Sequence, residues 1–91
     1  MTTYISTNTT TYVHTVQGFI KSFTVGNTVA STITIYDGSV STDVADANII
    51  GVLEASVVPN QYFSGVNFAK GLIVVTAGAS DITVETQSAS S

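Results

Sequence analysis

The stretch Leu72-Ile73-Val74-Val75-Thr76-Ala77-Gly78-Ala79-Ser80-Asp81-Ile82-Thr83-Val84-Glu85 decides the fold. Leu72 to Val75 is apolar at every position, so an extended chain here would be greasy on both faces. That suits a central strand covered twice, by a second sheet or by a neighbouring subunit. Thr76 to Ser80 reads as a short hairpin loop. Beyond it, residues 81 to 85 alternate, with Ile82 and Val84 pointing inward.

Upstream, the same two-residue period recurs. Residues 12 to 17 set Tyr12, His14 and Val16 against Val13 and Thr15, and Gly18 permits a bend. In residues 19 to 25, Phe19, Phe23 and Val25 share a parity with Lys21, a cation that can snorkel at an edge. Gly26-Asn27 suits a two-residue hairpin turn into a strand ending at Tyr36, with Ile33 and Ile35 on its apolar side. Residues 37 to 48 carry Asp37, Asp43 and Asp46 without alternation and read as the longest loop. Ile49 to Ser56 is apolar on both sides near its centre. Pro59-Asn60 then breaks the chain before a strand over residues 61 to 68.

No segment shows a helical period. The expected fold is all-β, a small antiparallel β-sandwich or jelly-roll-like barrel of about seven or eight strands. Residues 1 to 11 read as an extended N-terminal arm, residues 12 to 86 as the domain, and residues 87 to 91 as a flexible tail.

Composition narrows the function classes. Only 9% of the 91 residues are charged, against roughly a quarter in ordinary domains. Fifteen Thr and eleven Ser supply the polar surface instead, and β-branched Thr favours sheet. Such a surface costs little to desolvate against another protein. With no cysteine, disulfides cannot reinforce so small a core, which leaves subunit association as the expected reinforcement. Lys21 and Lys70 are the sole cations in a chain of net charge −4, so neither nucleic acid nor an anionic membrane is an expected partner. The first residues show neither a basic region nor an apolar run, and the expectation is a protein made and used without Sec export.

Catalytic chemistry finds few candidates. His14 is the single possible imidazole base, and it lies in an alternating strand away from any nucleophile motif. No spacing fixes two of the six carboxylates at a working distance. Asp37, Asp43, Asp46 and Asn48 are hard oxygen donors of the kind Ca²⁺ takes, but their spacing is not that of an EF-hand. The expectation is no catalytic residue, no cofactor and no metal. Tyrosine suits protein interfaces, which makes Tyr4, Tyr12, Tyr36 and Tyr62, with Ile5 in the arm, the candidate interface residues. The same tyrosines could alternatively stack on sugars.

Val66-Asn67-Phe68-Ala69-Lys70-Gly71-Leu72 and the following strand-loop-strand to Val84 resemble the C-terminal half of small virion-associated proteins of tailed bacteriophages. An Asn-Phe, a Gly-Leu strand, a Thr-x-Gly hairpin and an Asp-x-Thr-Val strand occur there in that order. Thr32-Ile33-Thr34-Ile35-Tyr36-Asp37 and Ile50-Gly51-Val52-Leu53 also fit, so the resemblance spans about residues 17 to 87. It implies a sandwich or jelly roll that decorates or cements the head. The implied partner is the major capsid protein or another virion protein, with the chain itself a homo-oligomer, trimeric by preference. The implied location is the virion, assembled in the host cytoplasm. A tail, neck or baseplate adaptor, or a fibre segment, is the neighbouring alternative, and a glycan-binding module the more distant one.

Overall fold

The computed structural model describes residues 2–6, 9–26, 32–54, 60–63, 65–78 and 81–88. Nine described strands form two sheets: β1 (Thr2–Ile5), β2 (Thr10–His14), β3 (Gly18–Val25), β4 (Ile33–Asp37), β5 (Ile49–Leu53), β6 (Asn60–Tyr62), β7 (Asn67–Phe68), β8 (Leu72–Thr76) and β9 (Ile82–Ser88). Sheet A runs β1-β9-β3-β6, with β7 also on β3, and sheet B runs β2-β8-β4-β5. Every pairing is antiparallel.

Setting aside the two-residue β7, the pairings nest. The first strand pairs with the last (β1 with β9), the second with the next to last (β2 with β8), then β3 with β6 and β4 with β5. A long antiparallel ribbon rolled upon itself has this order, which is the jelly roll. The all-β expectation therefore holds.

The core lies between the sheets. Ile20, Phe23, Val25, Ile82 and Val84 from sheet A meet Val13, Ile33, Ile35, Leu53, Leu72 and Val74 from sheet B. Each fully buried Ile, Leu, Val or Phe side chain contributes about 1.5–3 kcal/mol relative to exposure. Thr76 and Thr86 are buried polar residues of this layer, and the Thr76 hydroxyl is occupied. It accepts from Thr9 N at 3.0 Å and donates to Thr9 O at 3.2 Å.

Four expectations change. Both expected hairpins are instead crossings between sheets, since β3 and β4 lie in opposite sheets, as do β8 and β9. Residues 27–31 and 79–80 of those turns lie outside the described residues. A turn signal marks a reversal of direction and does not specify whether the next strand pairs in the same sheet. Residues 2–5 are extended but do not stand off as an arm. They form the edge strand β1, registered from Thr2 opposite Glu85 to Ile5 opposite Ile82. The apolar side chain of Ile5 drives this docking, because it is 3% exposed and belongs to the core.

The expected strand over 61–68 is split. Phe63 takes a positive φ of 56° and Gly65 one of 82°, so the chain turns between β6 and β7. Phe63 then folds back toward the core, edge-on to Phe23 with ring centroids 5.5 Å apart. Its ring fills the space above Gly51, where an added Cβ would stand 2.4 Å from Phe63 Cε1. Finally, the tail begins later than expected, because β9 continues to Ser88.

Candidate interaction surface

In an antiparallel sheet, directly opposed residues share a face, as do residues two apart along one strand. Applied to sheet B, these rules place two rows across its outer face. Tyr12 is opposite Ile73, Ile73 opposite Tyr36, and Tyr36 opposite Ile49. Beside them run Thr10, Val75, Thr34 and Val52. None of the eight is ionisable in the neutral range. Tyr12 is 41% exposed, Val52 43% and Ile49 38%, whereas Ile73, between two tyrosines, is 0% exposed despite facing away from the core.

The outer face of sheet A is built differently. One row reads Tyr4, Thr83, Thr24, Gln61, and another Thr2, Glu85, Ser22. A register shift between Ile20 and Ser22 turns Lys21 outward, where its Nζ lies 3.7 Å from Glu85 Oε1. Tyr4 is 60% exposed, and its hydroxyl hydrogen-bonds the Asp81 carboxylate. That bond, then burial and the Asp81 charge, raise the Tyr4 pKa above its ordinary value.

The candidate interface residues thus separate. Tyr12 and Tyr36 share the outer face of sheet B, and Tyr4 stands on sheet A. Tyr62, opposite Phe23, is half-buried and packs against the core. Ile5 is in the core and has no surface to offer, which corrects its assignment to an interface. Sequence reasoning missed Ile49, Val52 and Ile73. Ile49 and Val52 differ in parity and share a face only through the register shift at Ile35/Tyr36 in the β4–β5 pairing, which the alternation does not contain.

The loop between β4 and β5 contains two 3-10 turns, Ser41–Asp43 and Asp46–Asn48. Asp37 and Asp43 are turned to internal donors, whereas Asp46 is exposed. Asp37 accepts from the N–H of Ala69 at 3.0 Å and of Lys70 at 2.8 Å. Asp43 Oδ2 accepts from Ser39 N at 3.0 Å, and Lys70 Nζ lies 3.4 Å from Asp43 Oδ1. The Ser39 N–H first, with Val40 N–H and Lys70 adding to it, holds the Asp43 pKa below its ordinary value, against burial, which opposes it and is second only to the Ser39 bond. Among the described residues, no three His, Asp or Glu side chains gather as metal ligands.

His14 is buried and lies edge-on to Phe68 with ring centroids 5.3 Å apart. Its Nδ1 is 3.0 Å from Val16 O, which only accepts, so Nδ1 carries the proton and Nε2 accepts from Ser88 Oγ at 3.4 Å. This contact ties the end of β9 to the β2–β3 connection, with a carbonyl where a catalytic triad would hold a carboxylate. Among the described residues no helix is long and apolar enough to cross a membrane. No family model, no curated protein and no solved structure matches the chain.

Proposed function

We propose that this chain is a non-enzymatic virion structural protein, a decoration or cement subunit that associates with copies of itself and with the shell of a bacteriophage head. The observation that carries the reading is the outer face of sheet B, where Tyr12, Ile49 and Val52 stand exposed and none of the eight residues of the two rows bears a charge. A surface of this kind is cheap to desolvate and is stabilised by being covered. The jelly-roll order and the resemblance of the sequence pattern to small virion proteins supply the context, and the fold alone carries no function.

The size of the face also fits a repeated array. Four strands spaced about 4.8 Å apart, each of five residues rising about 3.3 Å, give a footprint on the order of 300 Å². A standard stable interface buries about 800 Å² per partner. A contact this small becomes effective when many copies engage together.

Electron microscopy of the native assembly, with this chain located and its copies counted, tests the proposal. On the order of hundreds of copies on a shell support decoration, and about a dozen in one ring move the protein to the neck or tail. A chain recovered free of particles overturns the reading.

A second reading has one specific observation in its favour. Tyr12 and Tyr36 lie in one row with a single strand between them, about 10 Å apart, a spacing that a sugar chain could bridge. A glycan array on which wild-type chain binds and Tyr12→Ala and Tyr36→Ala do not would favour it.

A further inference from the structure

We propose that Lys70 and Asn48 join through an intramolecular isopeptide bond, with Asp43 as the general base that starts the reaction. The bond forms whether or not the chain enters a particle.

The three side chains that such a bond needs meet at one point. Lys70 Nζ donates to Asn48 Oδ1 and to Asp43 Oδ1, both at 3.4 Å. An amine is thus placed beside a carboxamide, its electrophile, and a carboxylate, its base. Each group is aimed by contacts of its own. Asp43 Oδ2 accepts from Ser39 N at 3.0 Å and Val40 N at 3.4 Å, which leaves Oδ1 toward the amine. Asn48 Nδ2 donates to Asp43 O at 2.9 Å, which turns the Asn48 Oδ1 toward the same amine. The backbone at Lys70 is pinned as well, since Asp37 Oδ1 accepts its N–H at 2.8 Å and Gly38 N donates to Gly71 O at 3.1 Å. Groups held in this way react in an effectively unimolecular step. The carbon to be attacked lies one C=O bond, about 1.2 Å, from Asn48 Oδ1, and rotation of the Lys70 stem brings Nζ over it.

The step balances without an oxidant, a reductant or a cofactor. Nζ starts as an ammonium and passes one proton to Asp43 Oδ1. The freed lone pair forms the bond from Nζ to Asn48 Cγ, and the carbonyl electrons move onto the Asn48 Oδ1. When that tetrahedral centre collapses, the Cγ–Nδ2 bond breaks. Nδ2 takes the proton held by Asp43 and a second one from Nζ, and leaves as ammonium. Asp43 is then a carboxylate again. The Lys70 side chain is 49% exposed and the Asp43 side chain 18%, so water competes for the amine and the reaction is slow. The product ties the β4–β5 loop to the β7–β8 connection, across a separation of 22 residues. A chain without cysteine has no disulfide to do this, and a cross-link that closes a loop restricts the unfolded chain in the same way.

Two lysines and no arginine make the test simple. Trypsin, which needs a free lysine cation, cuts the unlinked chain into residues 1–21, 22–70 and 71–91. A linked Lys70 is not cut. The full chain is purified, incubated over days, weighed by intact mass spectrometry, then unfolded and digested. The expected result is a growing fraction lighter by one ammonia, about 17 Da, that yields residues 22–91 as a single piece in which fragmentation joins Asn48 to Lys70. Variants are first shown by circular dichroism to be folded. Asp43→Asn, which keeps an acceptor for Ser39 N–H, should slow the linking about a hundredfold or more. Asn48→Ala should abolish it, as should Lys70→Arg, which keeps the positive charge beside Asp43 and remains informative if Asp43→Asn does not fold. Lys21→Arg, on sheet A, should link as wild type does. An unchanged mass with cleavage after residue 70 overturns the inference. So does loss of ammonia with Lys70 still cut, a link to any other residue, or equal rates in wild type and Asp43→Asn.

Discussion

The two outer faces of this sandwich cover the same core and have opposite surfaces. Sheet A turns Thr2, Tyr4, Ser22, Thr24, Gln61 and Thr83 outward around a Lys21–Glu85 ion pair, whereas sheet B turns out Tyr12, Ile73, Tyr36, Ile49, Val75 and Val52 with two threonines, Thr10 and Thr34. The inner faces require apolar side chains in both sheets, since the core could not form otherwise. The outer faces are under no such requirement. Apolar residues on one of them are therefore not explained by the core, and the proposed association rests on that face.

The sharpest way to break this comparison is at its centre. Ile73 faces outward but is 0% exposed, so Ile73→Ala should cost about 2–4 kcal/mol, a core-sized loss, as read by chemical denaturation. The matching change on sheet A, Thr83→Ala, should cost under about 1 kcal/mol. Equal losses would mean that the two faces are energetically alike. Next in size is Gly51→Ala, which forces the Phe63 ring away from its place over β5 and should cost about 1–3 kcal/mol. A neutral result would show that Phe63 does not hold the β6–β7 turn onto sheet B.

The ion pair on sheet A is half-exposed on both sides, so Lys21→Ala should change stability by at most about 1 kcal/mol, and less in high salt. A larger loss would make electrostatics, not hydroxyl groups, the mainstay of that face.

The smallest effects are the pH dependences, and they run in opposite senses. Asp43, beside sheet B, has a depressed pKa when folded, so its contribution is present above the unfolded value of 3.8 and is lost as pH falls through the folded one. Tyr4, on sheet A, has a raised pKa, so its contribution is present below 10.0 and is lost as pH rises through the folded value. Amide exchange should show the β4–β5 loop loosening first in acid and β1 first in alkali. The reverse order would sink both assignments.

Much of the fold was legible. Alternation marked most strands, and the doubly apolar run 72–75 was a central strand, with Leu72 and Val74 inward and Ile73 outward. Bulges were not legible. Parity groups Phe19 with Phe23, but the register shift at Lys21 makes Ile20 the inward neighbour of Phe23 and leaves Phe19 half-buried. The shift between Tyr12 and His14 likewise buries Val13 and His14 together. A bulge depends on the partner strand, which the local pattern does not contain. The candidate surface was half legible, through Tyr12 and Tyr36, because a tyrosine suggests an interface by its type alone. Ile49 and Val52 look like core residues until their partners are known.

The amino-acid sequence by itself determined that this protein is all sheet, stabilised by apolar alternation without disulfides, and surfaced with hydroxyl groups. These are properties of residue type and two-residue period, which act over a few positions. Only the tertiary structure decided that β3 and β4, like β8 and β9, fall in opposite sheets, that β1 closes against β9, and that one outer face carries the larger apolar share. Those outcomes depend on which strands meet across the length of the chain, and that is settled when a whole core is buried at once.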